Sequence, residues 1–279
     1  MRLNKSWIAT GLTLLLASNP IQAGTQICHI ANAGFFIESS GTGVLIDAVM
    51  KRDDYEQTFA LPSEEVLTNM TFGQGAFESV KLALVTHKHG DHFDAEASLQ
   101  HLRSSEVRYI MPPEAYELMK SAGMTELESA RVQALLPNWD DGPLRVSGDG
   151  YEVDVYRIDH GPNMPQNLGY RIHINGKTFF HTGDINATPE RLKAAGLQKT
   201  PVDYMMMPFW YALQQKDAID TAWQLGTMIA THYHAKEQAW MADAGGPEGL
   251  RRAAASVWPN SLRIDREMQC EEIDEFTTH

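Results

Sequence analysis

Thr86-His87-Lys88-His89-Gly90-Asp91-His92 sets three imidazoles and a carboxylate directly after an apolar run at residues 80–85. Neutral imidazole and carboxylate are ligands that borderline divalent metals such as zinc accept. His87 and His89 stand two apart, so an extended backbone aims both to one side. The chain turns past Gly90, and Asp91 and His92 can then point back at the same space. A solvated His-rich loop has no reason to order His-x-His-x-Asp-His after a strand. The stretch predicts one metal site, or two adjacent ones, at a strand end.

Outward from this stretch, short apolar runs at 26–31, 34–39 and 44–48 read as strands, parted by Asn32-Ala33-Gly34 and Ser40-Gly41-Thr42-Gly43. Helices are expected at 63–70 with Ser63 as cap, at 94–103 with Asp94 as cap, and from Pro112-Pro113 to 119. Strands follow at 107–111, 144–146 and 151–158, with a hairpin of 168–174 and 177–181 around Asn175-Gly176. Residues 202–207 and 228–231 read as strands, and 217–225, 237–242 and 247–257 as helices. No linker, repeat or low-complexity segment divides residues 24–279, so one α+β domain is expected there.

Three later positions repeat the pattern of a metal-capable residue just past a strand end. They are His160, Asp184 and His232. Strand-end loops are where a rigid scaffold positions chemistry. A lone histidine of this kind is usually a hydrogen-bonded structural residue, but three such positions after the first stretch form a set.

The rest of the chain narrows the class. Residues 1–23 read as a secretory signal, with Arg2 and Lys5, an apolar run at 7–17, and cleavage expected after Ala23. The run is shorter than the about 20 residues a spanning helix needs. A periplasmic or secreted protein without a stable membrane span after signal removal is expected. The formal charge of −13 over the whole chain, with no Lys/Arg run, makes nucleic acid an unsuitable partner and a small molecule the expected substrate. Cys28 and Cys270 lie near the two ends of the exported chain, and either a disulfide or two free thiols fits that compartment. Trp139, Phe209, Trp210 and Tyr211 are candidates to wall a pocket. Oligomeric state has no signal in the sequence.

Thr86–His92, Asp159-His160-Gly161, His181-Thr182-Gly183-Asp184 and Thr231-His232-Tyr233-His234 together resemble the metallo-β-lactamase fold superfamily. Ile30-Ala31-Asn32-Ala33-Gly34-Phe35-Phe36-Ile37-Glu38 with Val44-Leu45-Ile46-Asp47 is similar to the opening strands of its ascorbate-lactonase-like branch. The resemblance implies a four-layer αββα sandwich with a dinuclear metal site, usually two Zn2+, with Mn2+ or Fe2+ as alternatives. It implies that His87, His89 and His160 hold one ion, that Asp91, His92 and His232 hold the other, and that Asp184 bridges them. Asp91 would also orient a metal-bridging hydroxide and take its proton. Asp47, His181 and His234 would support the ligands, His232 being preferred over His234 because it comes first past the strand. The implied reaction is hydrolysis of an ester, lactone or amide. A phosphodiesterase of the same fold, or a non-catalytic envelope protein that binds a metal or ligand, are the alternatives. The aspartate at 184 disfavours lactam cleavage, whose branches lack a bridging aspartate there.

Overall fold

The computed structural model describes residues 24–51, 59–233 and 245–273. The signal-like leader, the helix expected at 237–242 and His234 lie outside the described residues. Thirteen described strands form two sheets. In chain order they are β1 (Thr25–His29), β2 (Phe35–Ser39), β3 (Thr42–Ile46), β4 (Val80–Leu84), β5 (Arg108–Met111), β6 (Val132–Ala134), β7 (Leu144–Gly148), β8 (Tyr151–Ile158), β9 (Asn167–Ile174), β10 (Lys177–His181), β11 (Thr200–Pro208), β12 (Trp223–Thr231) and β13 (Cys270–Ile273). The first sheet runs β13-β1-β2-β3-β4-β5-β6 and the second β12-β11-β10-β9-β8-β7. The helices are α1 (Glu64–Phe72), α2 (Ala95–Ser104), α3 (Pro113–Ser121), α4 (Glu126–Ser129), α5 (Pro189–Ala194), α6 (Phe209–Gln214), α7 (Lys216–Ala222) and α8 (Gly246–Val257).

Strand alternation sorts the side chains into three apolar layers. Phe35, Ile37, Val44 and Ile46 of the first sheet meet Val153, Val155, Tyr170 and Phe179 of the second. The intervening Phe36 and Leu45 face the other way and pack with Met70 of α1, Leu99 and Leu102 of α2, and Met119 of α3. On the far side, Tyr156, Phe180 and Met205 pack with Leu192 of α5 and Ile219 of α7. A period of two with both faces buried requires helices on each outer side, which is the expected αββα sandwich. No helix among the described residues is long and apolar enough to cross a membrane.

The expected caps hold: Ser63 accepts from the Val66 N–H and Asp94 from the Ala97 N–H. One expected boundary needs correction. The helix expected at 217–225 ends at Ala222, and Trp223 opens β12. Parallel pairing of β12 with β11 begins at Trp223, opposite Thr200, and captures residues whose apolar pattern suits either state. Edge strands β6 and β13 are additions to the expected set. β13 pairs antiparallel with β1 and places Cys270 opposite Cys28, and the two are joined in a disulfide. Closing so long a loop restricts the unfolded chain by about 5 kcal/mol in the entropy model.

Candidate metal centre

β3, β4, β8, β10 and β12 all end at one edge of the sandwich, and the polar residues past their ends converge there. The two sheets are stitched together at this edge. The Leu168 N–H donates to Thr86 O at 2.9 Å, and the Tyr170 hydroxyl donates to Val85 O at 2.6 Å.

Asp47, just past β3, organises the histidine stretch. Its Oδ1 accepts from the Thr86 N–H at 2.8 Å, and its Oδ2 accepts from the Thr86 hydroxyl at 2.6 Å and from His92 Nδ1–H at 2.7 Å. The Thr86 hydroxyl proton is thus committed to Asp47, so His87 Nδ1–H donates to Thr86 Oγ1 at 3.0 Å. Both rings thereby turn Nε2 toward the interior, the usual way in which an outer hydrogen bond sets a ligating tautomer. The Thr–His step recurs after β12, where Thr231 Oγ1 lies 2.9 Å from His232 Nδ1. His232 adopts φ +65° and Asp47 φ +45°. Left-handed backbone costs a non-glycine residue about 1–3 kcal/mol, and at both positions it aims a site side chain.

Asp184 follows β10 through a turn shaped by His181. His181 Nε2–H donates to Ala33 O at 2.8 Å, and its Nδ1 accepts from the Gly183 N–H at 3.1 Å. Both ring nitrogens are engaged, so His181 holds the turn. Gly183 has φ +56°, and a Cβ there would fall 2.2 Å from Asn167 Oδ1. Only glycine fits immediately before the aspartate.

The residues gather as two groups that share Asp184. His87, His89, His160 and Asp184 each offer a ligand atom within 4.8 Å of the others, and so do Asp91, His92, Asp184 and His232. Asp184 Oδ1 lies 3.2 Å from His92 Nε2 and 3.1 Å from His232 Nε2. Its Oδ2 lies 3.8 Å from both His87 Nε2 and His160 Nε2. One carboxylate therefore shows one oxygen to each group.

The electrostatics suit cations. Burial works against charge on His92, but Asp184, Asp91 and Asp47 outweigh it and raise its pKa well above the imidazole range. Burial likewise opposes charge on Asp184, and His92 and His232 outweigh it, holding the carboxyl well below its usual range. Burial, reinforced by His92, keeps His87 well below the imidazole range and so neutral, the form in which it can ligate. The donor set passes a fit test for metal. His87 Nε2 and His89 Nδ1 face each other at 3.0 Å, and His92 Nε2 and His232 Nε2 at 3.3 Å. His160 Nε2 is buried without a hydrogen-bond partner. Buried imidazole nitrogens that converge in this way are satisfied by ions on which they close.

Asn32 touches the site although the sequence offers it only as part of a turn and of the opening stretch of the family resemblance. Its Nδ2 donates to Asp91 O at 3.1 Å and to Asp91 Oδ2 at 3.2 Å, while its own carbonyl accepts from His29 Nε2–H at 3.2 Å. It sits in the left-handed region at φ +49° and is buried. Of the aromatic candidates, the Trp210 ring lies 4.8 Å from that of His232. Phe209 stacks on Tyr233, and the buried Tyr211 donates its hydroxyl to Ala187 O, so these two serve packing.

A family model described as the beta-lactamase superfamily domain matches residues 42–247. A UPF0173 metal-dependent hydrolase of Pyrococcus abyssi is 23% identical over 242 residues, covering 81% of this chain and 91% of that protein. Among solved structures, the metallo-beta-lactamase fold protein YhfI of Bacillus subtilis aligns with a TM-score of 0.58 at 14% identity, covering 90% of this chain and all of that one. A possible metal-dependent hydrolase of Veillonella parvula aligns with the same TM-score, identity and coverage.

Proposed function

Because the chain belongs to the beta-lactamase superfamily, we propose that it is an exported metal-dependent hydrolase that holds two divalent ions, zinc first among them, and cleaves an ester, lactone or amide. The observation that carries the two-ion reading is the Asp184 carboxylate, with Oδ1 turned to His92 and His232 and Oδ2 to His87 and His160. His87, His89 and His160 hold one ion, and Asp91, His92 and His232 the other. The description of the Pyrococcus abyssi relative as a metal-dependent hydrolase supports the reaction class.

Two ions bound there would supply Lewis acidity and a water deprotonated near neutral pH. Asp47 fixes the His92 ring and the Thr86 turn, so the reacting groups stay in register. Asn32 pins Asp91 Oδ2, which leaves Oδ1 to orient the attacking water and accept its proton. Trp210 packs against the ring of His232.

The test is metal analysis of purified protein together with turnover of a panel of chromogenic esters, lactones, phosphodiesters and a cephalosporin, with zinc and with chelator. Close to two ions per chain and chelator-sensitive cleavage of an ester or lactone are expected. One ion per chain would remove the bridging role of Asp184, and absence of turnover across the panel would favour a binding protein.

A further inference from the structure

His160 is reached through Arg157-Ile158-Asp159, and this approach carries an unbalanced positive charge. No carboxylate among the described residues lies within ion-pair distance of Arg157, whose guanidinium instead lies over the indole of Trp139, 4.7 Å from its centroid. The guanidinium of Arg191, on α5, lies over the same indole at 4.8 Å, with its Nε 3.5 Å from Asp159 Oδ2. Two cations thus share one ring, and only Arg191 has a described carboxylate at ion-pair distance, which leaves a formal excess of one positive charge in a chain whose formal charge is −13. Burial, and next the charge of Arg191, make Arg157 harder to keep protonated, with Asp159 opposing them. Like charges side by side are a cost that a bound anion removes.

The pair is fastened to the site. Asp159 Oδ1 accepts from the Gly161 N–H at 3.0 Å, in the turn that presents His160, and its carbonyl accepts from the Asn186 N–H at 2.8 Å, two residues past Asp184. Three residues of extended chain span at most about 10 Å, so the backbone of Arg157 lies within about that distance of the backbone of His160. A guanidinium whose face covers an indole keeps its N–H edges for a planar oxyanion.

We propose that Trp139, Arg157 and Arg191 form an anion subsite beside His160 that selects substrates carrying a carboxylate a few bonds from the bond to be cleaved. This deepens the hydrolase reading and rests on it. A single carboxylate fits because its one negative charge matches the excess. A phosphomonoester dianion would exceed it next to Asp159.

The test compares mono-4-nitrophenyl glutarate with 4-nitrophenyl butyrate on the zinc-loaded full chain, in the wild type, Arg157→Gln and Arg157→Lys. The wild type is expected to favour the charged ester. In R157Q the charged-to-neutral ratio of kcat/KM falls roughly tenfold, mainly through KM, the effect of one lost charged hydrogen bond. R157K restores part of it. In parallel, calorimetry of glutarate binding to the zinc-loaded full chain reads the subsite without catalysis, and R157Q is expected to weaken that binding. An unchanged ratio, or equal loss on both esters with glutarate binding unaffected, overturns the subsite. Glutarate binding that depends on Arg157 without cleavage of either ester keeps the subsite and sinks the hydrolase reading. Absence of both overturns the subsite as well.

Discussion

Two carboxylate–imidazole groups in this molecule look alike by composition and differ in what surrounds them. One centres on Asp184, the other on Asp154 with Glu152 and His173. Asp154 is met by guanidinium: Arg145 Nε and Nη2 donate to it at 2.6 and 3.1 Å, Arg171 Nη1 stands 3.6 Å away, and His173 Nε2–H donates at 3.0 Å. Burial opposes its charge, but Arg145 and His173 outweigh this, so the carboxyl sits below its ordinary range with its charge already balanced. Asp184 has no Lys or Arg among its described ion pairs; four imidazole Nε2 atoms stand around it instead. An ion entering the Asp154 group would meet cations, whereas one entering the Asp184 group would meet lone pairs. Proximity of His, Asp and Glu therefore makes a metal site only where fixed cations are absent.

The strongest way to break this contrast is a matched pair of substitutions. Asp184→Asn is expected to lose about half the bound metal and roughly 100-fold or more of kcat/KM, because the carboxylate that would bridge the two proposed ions is removed. Asp154→Asn should leave metal content unchanged and cost about 1 kcal/mol in denaturant unfolding, since Arg145 is largely solvated. Equal metal loss in the two would erase the distinction. Next in size, Asp47→Ala removes the acceptor of His92 Nδ1–H and should weaken metal affinity about 10–100-fold in a chelator competition. Unchanged affinity would mean that packing alone orients His92.

His101, an imidazole outside both groups, supplies a control. His101 is buried with Nδ1 2.8 Å from the Tyr109 hydroxyl, and burial first, then Arg131, pushes its pKa down to about 4 from 6.5. The unfolded chain takes up this proton near pH 6.5 and the native chain only near 4. Stability is therefore intact above 6.5 and falls as pH drops through that window, by about 3 kcal/mol in all. Urea midpoints of His101→Gln between pH 7 and 4.5 should decline less steeply than those of the wild type; parallel declines would contradict it. The smallest expected effect is that of Asn32→Gly. Glycine keeps the left-handed backbone and deletes the amide, so kcat should drop about 5–10-fold with metal content unchanged. A loss of metal would show that Asn32 supports the ligands themselves.

The site was legible in the sequence to different depths. His87, His89, Asp91 and His92 announced themselves because short-range spacing after a strand needs no knowledge of the fold. Asp47 and His181 were expected as supports only through the family resemblance; in the structure Asp47 accepts from Thr86 and His92, and His181 bonds Ala33 and Gly183. Asn32 was not legible. An asparagine in a turn has a sufficient local explanation, and its bond to Asp91 spans 59 positions. The start of β12 was misread for a related reason: residues 223–225 suit helix or strand, and pairing with β11 decides between them.

The sequence by itself determined the α+β class, the His-x-His-x-Asp-His stretch and the candidates that join it, because alternation and short spacing are local properties of the chain, while the four-layer sandwich was implied by the family resemblance. Only the tertiary structure decided that Cys28 meets Cys270, since that depends on β13 lying beside β1. It also decided that Asp184 turns one oxygen to each histidine group, and that Arg157 and Arg191 share Trp139. The reason is physical: each of these depends on the distance between atoms brought together by sheet packing, and separation along the chain carries no trace of it.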